Sequence, residues 1–185
     1  MSMYPIASYT FTSSGSTSFT NIPQIYTHLH ARIFARSDYD RGAGYTQPVS
    51  IYLQFNGDGA ANYSGHYFSS DGASITSSGG GANAGAYAGT YGMPSFRAPA
   101  NIYSNVLVDI IDYTNTNKYK VVKSISGVDQ NGTGSTSGAG SVSYTSSCWK
   151  NNNAITSILF YGDGNYVAGS RIDLYGITSS SIGTF

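Results

Sequence analysis

The sequence predicts an all-β chain: an antiparallel β-sandwich, jelly-roll-like, of about eight to ten strands. Three observations carry this. The strong helix formers are scarce, with no Glu and only five Leu in 185 residues. Ser, Thr, Asn and Gly make up 81 residues and Tyr another 17, a composition suited to strands and tight turns. Short runs of period-two hydrophobicity recur between turn clusters along the chain. At this length the sequence reads as one domain, residues 1–178, followed by a short Ser-rich tail, 179–185.

The elements follow in order. Ala7–Thr12 alternates, with Tyr9 and Phe11 on one face, and Thr17–Thr20 returns as a hairpin after the turn at Ser13–Ser16. Ile25–Arg36 is the clearest strand. Ile25, Thr27, Leu29, Ala31, Ile33 and Ala35 form its core face; Tyr26, His28, His30, Arg32, Phe34 and Arg36 form a polar stripe. Val49–Phe55 repeats the pattern with Val49, Ile51, Leu53 and Phe55 inward, and Asn56-Gly57-Asp58-Gly59 ends it. Tyr63–Ser69 and Ala73–Ser77 are weaker strands. Gly79–Pro94, rich in Gly, Ala and Tyr and without a period, reads as a long loop. Asn101–Tyr113 and Lys118–Gly127 flank Thr114-Asn115-Thr116-Asn117, the best hairpin signal in the chain. Asp129–Gly138 is a polar loop; Gly140–Cys148, Ile155–Tyr161 and Arg171–Ile177 complete the strands.

Charge narrows the function. Nine basic and nine acidic side chains, all of the latter Asp, give a net charge of zero, which argues against a nucleic-acid partner. No apolar run is long enough for a membrane-spanning helix, and residues 1–5 lack the basic start of a secretory signal. The lone cysteine, Cys148, forms no internal disulfide; it reads as a small buried apolar residue in a chain made in a reducing cytoplasm.

Few groups point to chemistry. His28 and His30 share a strand face and are the candidate metal pair, but they lack a third ligand and sit beside Arg32 and Arg36, so surface or interface histidines are the better reading. Asn56, Asp58 and Asn62 have calcium-like spacing without the clustered carboxylates, so a tight turn is the better reading. Asp109 and Asp112 fall on opposite sides of a regular strand, and Asp38 and Asp40 read as ion-pair partners of Arg36 and Arg41. Gly134–Gly138 has Thr136 where a nucleophile elbow needs Ser. The sequence therefore predicts no catalytic residue and no cofactor. The tyrosines remain. Tyr63, Tyr67, Tyr87 and Tyr91 lie in or beside Gly-rich segments and are candidate contacts for a sugar or a protein subunit. Tyr26 and Arg32, on the polar stripe, are candidate self-association contacts.

Five short motifs carry a resemblance. They are Ser170–Ile177 (SRIDLYGI), Ile22–Leu29 (IPQIYTHL), Leu53–Asp58 (LQFNGD), Asp109–Tyr113 (DIIDY) and Asn117–Lys120 (NKYK). Their order over roughly residues 9–177 resembles a group of small tailed-bacteriophage virion structural proteins. The resemblance implies a β-sandwich displayed on the head or tail of a virion, made in the host cytoplasm. It implies assembly with other virion proteins and with itself, as a homotrimer by analogy with virion symmetry. A host surface glycan is the alternative partner, and no catalytic motif is carried over.

Overall fold

The computed structural model describes residues 2–130 and 140–178. These residues form twelve strands and no helix. The strands are β1 (Ser2–Thr10), β2 (Thr17–Phe19), β3 (His28–Ala35), β4 (Val49–Phe55), β5 (Tyr63–Ser70) and β6 (Ile75–Asn83). They continue with β7 (Ala86–Met93), β8 (Ser104–Ile111), β9 (Lys120–Val128), β10 (Ser141–Trp149), β11 (Ile158–Gly162) and β12 (Arg171–Thr178). The polar loop at 131–138, the 134–138 segment and the tail 179–185 lie outside the described residues.

Two antiparallel sheets pack face to face. The larger has the order β1-β12-β3-β8-β9-β10-β5-β6; the smaller is β2-β11-β4-β7. Eight of these strands, β1-β12-β3-β8 over β2-β11-β4-β7, have the strand order of a jelly roll. Two hairpins are inserted into that frame. β5–β6 lies between β4 and β7 in the chain, and β9–β10 between β8 and β11. Both join the larger sheet and double its width, which accounts for the count of twelve rather than eight to ten strands.

The period-two readings locate the core. Val49, Ile51, Leu53 and Phe55 of β4 are fully buried, as are Leu29, Ala31 and Ala35 of β3. They meet Val106, Val108 and Ile110 of β8 and Ile172 and Leu174 of β12 in one cluster. The strand read over Ile25–Arg36 is shorter than its pattern: β3 starts at His28, and Ile25 is 77% exposed in the preceding loop. The early hairpin is also corrected. β1 pairs with β12 in the larger sheet and β2 with β11 in the smaller, so these neighbours in sequence belong to opposite layers.

Gly79–Pro94 is not a loop. Its start completes β6, and β7 crosses the interior with Ala86, Ala88, Gly89, Thr90 and Gly92 buried. β7 packs against β9 and β10 of the wide sheet. There the inner face is made of small hydroxyl residues: Ser124 and Ser126 on β9, Ser143, Thr145 and Ser147 on β10. Ser126 and Ser143 share a 2.6 Å hydrogen bond, and Ser147 Oγ donates to the Tyr87 carbonyl at 3.2 Å. Small side chains on both sides let the backbones approach closely. A Cβ on Gly92 would stand 2.8 Å from Ser126 Oγ. A strand that packs by lacking side chains leaves no hydrophobic period in the sequence.

Turn residues tie the layers together. Asn56 and Gly57 have positive φ (53° and 70°), and Asp58 N–H donates to the Phe55 carbonyl at 2.9 Å, a tight turn as expected. Asn56 Oδ1 accepts from the Thr156 and Ser157 amides. Asp58 accepts from Asn62 and, at 2.8 Å, from the indole N–H of buried Trp149. Those bonds hold the Asp58 carboxyl below the usual carboxylate range, Asn62 contributing most. A depressed carboxyl contributes stability above its unfolded pKa, about 3.9, and loses it as pH falls through the folded value. Asp58→Asn, which keeps an acceptor for Trp149, should therefore lose less stability on acidification. Thermal midpoints measured from about pH 7 to about pH 2 check this; equal acid sensitivity in both proteins would contradict it.

Candidate functional site

The acidic and imidazole groups occupy structural positions. His30 Nδ1 sits 2.7 Å from Asp109 Oδ1 on the neighbouring strand, and His28 Nδ1 accepts the Asp112 amide at 3.0 Å. Asp112 lies just beyond β8 with positive φ (49°), which places its carboxyl beside His28 and 2.6 Å from Lys118 Nζ. Lys118 holds that carboxyl below the ordinary range. His66 is on β5, four strand steps from β3, or roughly 19 Å at the usual strand spacing. No group of three metal-ligating side chains occurs among the described residues. Asp40 pairs with Arg97 rather than Arg41, and Asp38 accepts the Asn165 amide at 2.7 Å. Cys148 is half-buried on β10, and burial raises its thiol pKa.

The polar stripe of β3 is shorter than its sequence implies. Tyr26 stacks on Tyr4 at 5.8 Å and lies over Gly176. His30 is buried. Arg36 turns away to donate to the carbonyls of Phe96, Ala98, Pro99 and Ile102, pinning that loop. Arg32, 5.9 Å from the Tyr175 ring centre, and Phe34, stacked on Tyr103, remain at the surface.

The structure brings three of the four singled-out tyrosines together. Tyr63 is not among them: it is fully buried, stacks on Trp149, and its hydroxyl accepts the Phe55 amide at 2.9 Å. Tyr67 on β5 and Tyr87 and Tyr91 on β7 meet with ring centres 6.2 and 6.1 Å apart. Tyr52 on β4 and Tyr161 on β11 continue the row at 5.6 and 5.3 Å. All five rings are half-buried. Sequence reasoning missed Tyr52, although its place on the polar face of β4 signals exposure, and read Tyr161 as the end of the strand Ile155–Tyr161. The row depends on missing side chains. A Cβ on Gly65 would stand 2.6 Å from the Tyr87 ring. Burial raises the Tyr67 hydroxyl pKa, with Tyr91 beside it contributing.

The outer face of the wide sheet holds a second surface. Phe68, Tyr144, Ile125 and Leu107 lie opposite one another across β5, β10, β9 and β8. Phe68 stacks on Tyr144 at 5.8 Å. Val142, Val121 and Ile111 share this outer face, and all of these apolar residues but the half-buried Leu107 are 38–60% exposed; the polar row His66–Ser146–Lys123–Asp109 separates Val121 and Ile111 from the apolar row. β9 and β10 are thus largely reversed relative to the jelly-roll strands: Ser124, Ser126, Ser143, Thr145 and Ser147 face inward beside Val122 and Trp149, and Val121, Ile125, Val142 and Tyr144 face outward.

Comparison with protein-family models, curated proteins and solved structures finds no match to this chain.

Proposed function

We propose that the chain is a non-enzymatic, outward-displayed structural component of a tailed-bacteriophage virion, of head-decoration or fibre type, that assembles with copies of itself. The observation that carries the reading is the reversed face of β9 and β10, flanked by Phe68 of β5 and Leu107 of β8. An apolar patch on a soluble chain marks a surface that is covered in the working assembly. A second copy fits it best. The row Phe68–Tyr144–Ile125–Leu107 carries no charge, and a chain of zero net charge approaches its own copies without strong repulsion. A trimer is the number of copies that virion symmetry suggests by analogy.

Other features support the same reading. Jelly rolls recur in viral capsid and lectin domains, an analogy at the level of fold alone. The motif at Ser170–Ile177 supplies the β12 side of the β3–β12 pairing, and Ile22–Leu29 ends in the first two paired residues of β3, His28 and Leu29, a frame rather than a reaction centre. Electron microscopy of a tailed-phage particle from cells that make this chain, labelled with antibody against it, tests the assignment. Label at regular positions on the particle is expected. Particles free of label, with the chain left in the soluble fraction, would overturn it.

A further inference from the structure

We infer that the shelf made by the inserted β5–β6 hairpin, with the tyrosine row along its inner edge, binds a neutral oligosaccharide. This goes beyond self-assembly and uses a different surface. β6 is the last strand of the wide sheet, while β7, the edge of the smaller sheet, packs on β8, β9, β10 and β5. The inner face of β6 therefore projects past the sandwich. Thr76 and Ser78, paired with Ser69 and Tyr67, share that face and are exposed.

Where the shelf meets β7 there is a cavity of about 230 Å³. Its described lining includes Gln47, Ser69, Asp71, Thr76, Tyr91 and Ser141. Ser141 is only 7% exposed, and its Oγ has no hydrogen-bond partner among the described residues. Asp71 is fixed in place by the Ala73 and Ser74 amides, which donate to Oδ1 at 3.0 and 2.8 Å. Tyr91 joins the cavity to the tyrosine row. It has positive φ (52°) in a strand whose pairing with β4 is irregular, the kind of bulge that re-aims a side chain.

These parts match one ligand chemistry. A pyranose ring offers an apolar C–H face to an aromatic ring and a rim of hydroxyls that both donate and accept. Tyr91, Tyr67 and Tyr87 supply faces; an amide, a carboxylate and hydroxyls supply mixed polar partners. No Lys or Arg is in the described lining, so a neutral sugar is favoured over an anionic one. The cavity is smaller than the roughly 300–1,000 Å³ that encloses a drug-sized ligand, which suits one ring of a chain whose remainder lies along the row. A proline-rich peptide, the other common guest of aromatic grooves, would leave Asp71 and the buried Ser141 hydroxyl of this mixed lining without partners.

The test is a concentration series of the full chain on an array of neutral glucose, galactose, mannose and N-acetylglucosamine oligomers, with a proline-rich decapeptide spotted beside them. Tyr91→Ala should weaken binding about tenfold or more. Thr76→Arg, on an exposed edge strand where the fold is insensitive, should abolish it by filling the shelf. Circular dichroism confirms that both variants fold. No retained oligomer, retention of the peptide instead, or full binding by either variant would overturn the assignment.

Discussion

Trp149→Ala is expected to destabilise the protein by about 3–5 kcal/mol, the range for removing a large aromatic from a packed core. Trp149 is fully buried at the end of β10, where the inserted hairpin meets the jelly-roll frame. Its ring stacks on Tyr63 at 6.2 Å and tilts against Phe55 at 5.5 Å, joining β10 to β5 and β4. Its indole N–H is satisfied by Asp58, so alanine removes a ring and a hydrogen bond together. The hydroxyl-lined interior beside it contributes little hydrophobic free energy, which concentrates the stability of the insertion in this aromatic cluster. Urea denaturation measures the loss. A change below about 1 kcal/mol would show that Trp149 does not anchor the insertion.

The second large effect concerns assembly. Ile125 is 50% exposed in the middle of the reversed face, between Leu107 on β8 and Tyr144 on β10. Ile125→Lys places a charge that the single chain solvates freely, so its own stability should change by no more than about 0.5 kcal/mol. Against a second copy the same ammonium is desolvated without a partner. The penalty is several kcal/mol, on the order of a hundredfold or more in dissociation constant. Stability unchanged and association lost is the signature of an interface; loss of both would instead mark Ile125 as a residue of the fold.

The fold was legible where side chains are large. β4 was read to the residue, because Val49, Ile51, Leu53 and Phe55 all point into the core. β7 was illegible because Gly and Ala pack through their backbones and leave no alternation to read. In β10 the alternation is plain, Ser141, Ser143 and Thr145 against Val142 and Tyr144, yet a period of two separates faces without saying which one is buried. The tyrosine row was half legible. Composition pointed to Tyr67, Tyr87 and Tyr91, but their meeting with Tyr52 and Tyr161 depends on register across both sheets. The partnership of His30 with Asp109, 79 residues apart, likewise depends on pairing that no local pattern encodes.

The central claim is that the reversed face is covered by another copy of the chain. Light scattering of the unmodified protein over a range of concentrations tests it most directly. The expected mass is an integer multiple of 19.5 kDa that falls toward the single-chain value on dilution, with Ile125→Lys already at that value. A single 19.5 kDa species at every concentration, indistinguishable from the variant, would contradict the account.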